Sequence, residues 1–348
     1  MARADTGRSA TFLALGCVGF VASFAPQASA QEAQDKKPTT LQGVTVTDSA
    51  VDDSYSVDAI ESPKATATLL DTARTINVIT NKVLEDTASF SFQEALRTVP
   101  GITLGAGEGG TASGDIPLIR GVDATGDTYV DGARDVGSQT RETFDVERIE
   151  VFKGPNSAFG GRGSAGGSIN IVTKLPHTGT VAQGAATIGT DNFYRVTGDL
   201  NAEIADKLAV RVAGLYHNAD VPGRDSVFDK RWGVAPSIAY GVGTPVTATL
   251  SYYHYETDAM PDYGIPLTSR GQRADGTRVP ADVDRDNFYG LKARDFQKTR
   301  ADSVTFLFSG DLGGGWVLSN TTRYSDSRNN YIVTNPDDSA GNVANGYV

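Results

Sequence analysis

The feature that most restricts how this chain can fold is a repeat of period two beyond residue 175. Across residues 193–204 the even positions are Tyr194, Val196, Gly198, Leu200, Ala202 and Ile204, and the odd ones are Arg195, Thr197, Asp199, Asn201 and Glu203. Successive side chains of a strand point to opposite faces, so this is a strand with one apolar and one polar face. The pattern returns in Leu208, Val210, Val212, Gly214 and Tyr216, set against Arg211 and His217. It returns again in Trp232, Val234, Ile238 and Tyr240, alternating with Gly233, Ala235, Ser237 and Ala239. Two-faced strands of about 10 residues are the unit of a transmembrane barrel. They also build soluble sandwiches, where one face is buried.

The connections between these strands alternate in length. Residues 205–207, 241–245 and 313–315 are short, whereas 220–230 and 258–297 are long. Short turns on one rim and long loops on the other mark an outer-membrane barrel. Trp232, Tyr240, Tyr252, Tyr253, Trp316 and Tyr324 fall near strand ends, where an aromatic girdle is expected.

The N-terminus sets the compartment. Arg3 and Arg8 precede an apolar run over 12–24, and Ala28, Ser29 and Ala30 precede Gln31, which is the pattern of a cleavable secretory signal over 1–30. A lipoprotein cut at Cys17 is the weaker alternative, because Ala14 and Leu15 fit that pattern poorly. No later run reaches the roughly 18 apolar residues of a membrane helix, so a membrane location requires strands. Cys17 is the only cysteine, so the exported chain is expected to use neither disulfides nor thiolate metal sites. A net charge of -11 with scattered Lys and Arg argues against nucleic acid as a partner.

Residues 31–63 are polar and breaker-rich, with one β-prone island, Gly43, Val44, Thr45, Val46 and Thr47. From 64 to 176 the elements are short and mixed. Strands are expected at 75–79, 117–120, 128–130, 146–152 and 168–173, with a helix over 91–98 stopped by Pro100 and Gly101.

Five blocks of this region resemble the plug domain of TonB-dependent receptors in order and spacing. They are 69–80 (LLDTARTINVIT), 92–102 (FQEALRTVPGI), 115–121 (DIPLIRG), 129–132 (YVDG) and 146–174 (VERIEVFKGPNSAFGGRGSAGGSINIVTK). Residues 258–297, Gly114 to Pro117 and the DGARD run at 131–135 are similar to the catecholate-siderophore branch. The resemblance implies a mainly β fold, an α+β plug domain followed by the first strands of a transmembrane antiparallel β-barrel. Such barrels have about 22 strands, and about seven are read here. An open sheet of that size leaves an edge in lipid, so the sequence is expected to be the N-terminal part of a longer protein. The expected organisation is a signal at 1–30, a periplasmic segment at 31–63, a plug at 64–176 and an incomplete barrel at 177–348.

The same resemblance implies uptake of a ferric siderophore across the outer membrane, powered through TonB with ExbB and ExbD. Residues 43–47 (GVTVT) are similar to the box that TonB grips, and β-branched residues suit strand addition to a partner's sheet edge. Ligand contacts are expected from the plug loops at 107–115 and 134–141, including Asp115, Arg134, Gly137, Ser138, Gln139 and Arg141. The outer loop offers Tyr263, Arg270, Arg273 and Tyr289. Arginine suits a planar, oxygen-rich anion because its fork gives directed donors. A plug-to-wall lock is implied for Arg162 with Glu147, Arg148 and Glu150, with the wall carboxylates lying in later strands.

Other chemistry finds no footing. Residues 161–166 match G-x-G-x-x-G, but the strand-like run that follows provides no helix N-terminus for a pyrophosphate. His177, His217 and His254 are isolated, no nucleophile elbow occurs, and neither a cofactor, a metal nor an enzyme activity is expected. Two alternatives stay open: a receptor of the same class for another cargo, such as cobalamin or a glycan, and a secreted soluble β-sandwich adhesin.

Overall fold

Short elements with strong local signals build the first half of the structure, a computed structural model that describes residues 54–61, 67–106, 113–155, 161, 165–268 and 279–336. The signal at 1–30, the GVTVT island, Arg162, Arg270 and Arg273 lie outside the described residues. Strand β1 (Thr75–Thr80) runs into helix α1 (Asn81–Asp86), which the sequence pattern does not announce. The Thr80 hydroxyl caps it by accepting from the Val83 amide. Helix α2 (Phe92–Arg97) starts at a full capping box: Ser91 Oγ accepts from the Glu94 amide and the Glu94 carboxylate accepts from the Ser91 amide. It ends before Pro100, with Gly101 at φ +79°.

Strands β2 (Ile102–Leu104), β3 (Pro117–Ile119) and β4 (Val122–Asp123) form a small antiparallel sheet. Strands β5 (Thr128–Val130), β6 (Ala133–Arg134), β7 (Val146–Lys153) and β8 (Gly167–Thr173) join β1 in a second sheet of order β1-β7-β8-β5-β6. Only β5 and β8 pair in parallel there. The core lies between this sheet and α2, and includes Phe92, Leu96, Ile119, Ile149, Val151 and Ile169. Gly167 sits at φ +142°, where an added Cβ would lie 2.0 Å from the Phe152 carbonyl oxygen.

The second half is a single antiparallel sheet of β9 (Val181–Ile188), β10 (Tyr194–Ala205), β11 (Leu208–Asp220), β12 (Phe228–Tyr240) and β13 (Val246–Ala259), continued after a small hairpin, β14 (Leu267–Thr268) and β15 (Val279–Pro280), by β16 (Phe296–Gly313) and β17 (Trp316–Ile332). The sheet is a meander of seven strands, matching the number read from the period. Most of its strands exceed the 9–11 residues that a tilted strand needs to cross a bilayer.

The two faces of this sheet decide between barrel and sandwich. On β10 the apolar row is the exposed one, with Val196 at 52%, Leu200 at 57% and Ile204 at 56%. The polar row is covered, with Arg195 at 4%, Asp199 at 6% and Asn201 at 2%. A sandwich buries the apolar row. Here the charged row faces the mixed unit and the hydrocarbon row faces outward, the polarity of a lipid-embedded wall. Trp232, Tyr240, Tyr252, Trp316 and Tyr324 lie on the exposed side, as expected of a girdle. Tyr253 does not: its odd number puts it on the inner row, where it stacks on Phe144 with ring centroids 5.7 Å apart.

Gly167→Ala should destabilise the mixed unit by at least about 2 kcal/mol, more than the roughly 1 kcal/mol expected for removing the α2 cap in Ser91→Ala. Urea unfolding midpoints of the two variants provide the comparison.

Candidate functional site at the seam between the mixed unit and the sheet

The upper end of the seam, toward the long connections, is organised by Arg141. Its backbone amide and Nη1 donate to Asp115 Oδ2 at 2.9 and 3.1 Å. Its Nε and Nη2 donate to Asp135 Oδ2 at 3.2 and 3.1 Å, and Nη2 also reaches the Gly137 carbonyl at 3.2 Å. Gln139 Nε2 donates to the same Asp135 oxygen at 3.1 Å, and the Asp115 amide donates to the Gln139 carbonyl at 2.9 Å. Of the two loops expected to meet ligand, residues 107–112 lie outside the described residues, and 113–115 and 135–141 form one cross-braced body. Arg141 itself is buried with its fork occupied, so in this state it holds the loops in place and offers no free donor to a ligand.

The structure brings Asp115, Gln139 and Arg141 together below the surface and leaves Gly137 and Ser138 half exposed above them. These loops meet the wall near the far end of β17. Asn329 Nδ2 donates to the Ser113 carbonyl at 2.5 Å, Gln297 Nε2 donates to Ser113 Oγ at 3.3 Å, and Gly137 lies against Ser327. Arg134 lies elsewhere. It donates to the Gly126 carbonyl and to Tyr129 Oη, both at 2.7 Å, and pairs with Asp127 at 3.3 Å. Its hairpin touches the wall lower down, through Thr321 Oγ1 and the Asp131 carbonyl. Tyr263 is 39% exposed in the outer connection, and Tyr289 Oη donates to the Asp284 carbonyl at 2.6 Å. Arg224, which the sequence reading did not single out, ties two outer connections by forking onto Asp262 at 2.7 and 2.9 Å.

Midway down the seam Glu142 is fully buried and held by two wall arginines. Arg195 donates to both carboxylate oxygens at 3.0 and 2.9 Å, and Arg231 donates to Oε1 at 2.5 Å. Beside it Phe144 packs with Ala213, Leu215 and Tyr255. The wall is glycine at 233 because a Cβ there would lie 2.9 Å from the Phe144 ring. A second cluster joins wall residues Asp199 and Arg211 to the mixed unit. Arg211 forks onto Asp199 at 2.9 and 2.8 Å and donates to the Leu175 carbonyl at 2.9 Å, while Lys174 pairs with Asp199 at 3.1 Å.

This arrangement corrects part of the expected lock. Glu147 does face the wall, 3.7 Å from Arg211. Arg148 and Glu150 instead pair with each other at 3.1 Å inside the mixed unit, and Arg148 also pairs with Glu61. Glu150 accepts from the Glu61 amide at 2.8 Å and from Asn170 Nδ2 at 3.1 Å. A separate lock is seen among the described residues: the mixed unit supplies the central carboxylate and the wall supplies the arginines. Glu142 stands outside the family-like strand block. The available clue was that Arg195 and Arg231 lie on the polar row of their strands, facing inward and needing a partner.

Between these clusters and β16–β17 lies a small cleft of about 50 Å³, lined by Asp131, Asp145 and Thr173 on one side and Ser251, Ser303 and Arg323 on the other. Burial pushes the Asp145 carboxyl up to about 7, and the neighbouring Asp131 carboxylate adds to the effect. Among the described residues no group of three or more His, Cys, Asp or Glu is placed to hold a metal ion.

Residues 68–168 match the family described as TonB-dependent Receptor Plug Domain. The chain is 45% identical over 327 residues to a probable TonB-dependent siderophore receptor, PiuA, of Acinetobacter baumannii, covering 93% of this chain and 43% of that protein. It is 36% identical over 334 residues to the catecholate siderophore receptor Fiu of Escherichia coli, covering 94% and 43%. The crystal structure of PiuA superposes with a TM-score of 0.79 over 84% of this chain and 42% of that one, at 45% identity. The closed form of Fiu gives a TM-score of 0.75 at 35% identity, covering 83% and 42%. The chain thus spans less than half the length of these relatives.

Glu142→Ala should strip two buried arginines of their partner and weaken docking of the mixed unit on the wall by about 3–5 kcal/mol. Protease susceptibility of the unit in the membrane-embedded protein reports this directly. Because the Asp145 carboxyl is raised in the folded state, its contribution is complete below the ordinary carboxylate range and is lost as pH rises through about 7. Asp145→Asn should therefore raise the unfolding midpoint at pH 8 and leave it nearly unchanged at pH 4; an equal effect at both values would rule this out.

Proposed function

We propose that this chain, which belongs to the TonB-dependent receptor family, forms the plug and first wall strands of an outer-membrane receptor that takes up a ferric siderophore of catecholate type. The observation that carries the reading is the inverted sheet. Its charged row grips a plug domain through Glu142 and its apolar row faces outward, as a gated pore in lipid requires. The names of the relatives, a probable siderophore receptor and a catecholate siderophore receptor, support the cargo class.

In this reading residues 1–30 are a cleaved signal and 31–63 a periplasmic segment. The plug spans 64–176 and the wall begins at 177. The rim of short turns faces the periplasm, and the long connections face outward. Gly43, Val44, Thr45, Val46 and Thr47 form the box gripped by TonB, which works with ExbB and ExbD. Ferric complex meets the half-exposed Gly137 and Ser138 and the outer-loop residues Tyr263, Arg270 and Arg273. Asp115, Gln139 and Arg141 act beneath them by holding the loops in position. The protein is a transporter, not an enzyme, and iron is its cargo rather than a resident cofactor.

The test is growth under iron limitation of a strain lacking other iron receptors and carrying the full-length receptor gene, fed with a panel of ferric siderophores. Rescue by a catecholate complex, abolished by changing Val44 and Val46 to proline, is the expected result. Failure with every siderophore, while the protein is found in the outer membrane, would point to a different cargo.

A further inference from the structure

At the outer rim two connections are fastened to each other by one side chain. The connection from β11 to β12 (221–227) meets the long connection after β13 at Arg224, whose guanidinium reaches two places on it. Nε and Nη2 fork onto Asp262 at 2.7 and 2.9 Å, where the long connection leaves the sheet. Nη1 donates to the Arg285 carbonyl at 2.5 Å, on the returning side. The Asp225 amide adds a bond to the Asp286 carbonyl at 2.6 Å. Between these points stands the hairpin β14–β15, whose base is closed by the Ala281 amide donating to the Pro266 carbonyl at 2.9 Å.

The side chains of Arg224 and Asp262 are only 13% and 15% exposed, so this is not the solvated kind of ion pair that contributes little. A forked guanidinium fixes direction as well as distance, which an ammonium does not. Asp262 passes that direction on. Its Oδ1 also accepts from the Gly264 amide at 2.8 Å, with Gly264 at φ +81°, so the backbone at 262–264 is wound round the carboxylate that Arg224 grips. Tyr263 stands between the two residues so tied and is exposed.

We infer that Arg224 is a positioning residue for cargo capture: through Asp262 it sets the direction of Tyr263, which meets the aromatic rings of a ferric catecholate at the rim. This rests on the transport reading above. A phenol combines a flat face with a hydroxyl, so it stacks on a catechol ring and hydrogen-bonds at the ring's edge. Holding that side chain in its bound direction beforehand removes an ordering cost from association. Arg224 itself has Nε, Nη1 and Nη2 engaged within the protein and acts through Asp262 rather than by touching cargo.

The experiment measures binding of a ferric tris-catecholate to the full-length receptor in the presence of a protonophore, and energised uptake in its absence. Arg224→Ala and Asp262→Ala should each weaken binding about tenfold and raise the KM of uptake to match, with the maximal rate unchanged. Arg224→Lys should weaken binding nearly as much, because an ammonium cannot fork. In a Tyr263→Ala background, Arg224→Ala should add little. Tighter binding by Asp262→Ala, or full affinity in Arg224→Lys, would mean that the charge at 224 contacts cargo directly, and would overturn the inference. Full additivity of the changes at 224 and 263, or unchanged affinity in every variant, would overturn it too. Trypsin applied to intact cells gives a reading without cargo. The parent should resist cleavage after Arg285, whose carbonyl Arg224 holds, and Arg224→Ala should be cut there about tenfold faster. Equal cleavage would remove the basis for positioning by Arg224. A parent receptor that shows this protection yet binds no ferric catecholate would instead count against the transport reading.

Discussion

Everything in this structure follows from a sheet that covers its charges and exposes its hydrocarbon. In water such a sheet would be upside down. In a bilayer it is the stable orientation, because lipid accepts Val196, Leu200 and Ile204 without cost, while Arg195, Asp199 and Arg211 require polar company. The wall therefore needs the plug as much as it encloses it. Glu142 provides that company for two arginines at once, and Asp199 with Lys174 does so for the third. The glycine at 233 and the alanine at 213 leave room for Phe144, the apolar side chain beside Glu142 that docks on the wall.

Much of the fold was legible in the sequence because the signals were local. Strand β5 at Thr128–Val130 coincides with its expected span, α2 falls within the helix expected over 91–98 before Pro100 and Gly101, and the period-two rows carry the wall strand by strand. What escaped was set by tertiary contact. Helix α1 is a single short segment whose cap is a strand-end threonine, so no periodicity could reveal it. Tyr253 reads as a girdle residue by composition, but its parity puts it on the plug side, under Phe144. Glu142 looks like one acid among many until the inward rows of β10 and β12 bring Arg195 and Arg231 to it from 53 and 89 residues away.

Within the plug a second buried carboxylate plays a comparable part. Glu150 accepts from the Glu61 amide, Arg148 Nε and Asn170 Nδ2, and the Asn170 carbonyl oxygen in turn accepts from the Gly132 amide. A continuous polar line thus runs from the segment at 54–61, through β7 and β8, to the hairpin that touches the wall at Thr321. Buried networks of this kind contribute when every member is satisfied, and they transmit displacement because none can shift alone. The N-terminal segment is tied to the plug's central sheet rather than lying loosely upon it.

The bracing of Arg141 has a thermodynamic corollary. By holding Asp115, Asp135 and the Gly137 carbonyl on one fork, it couples the segments at 113–115 and 135–141. Ordering of loops is among the larger entropic charges against association. Here the segments at 113–115 and 135–141 move as one piece, and a displacement of either is felt by the other.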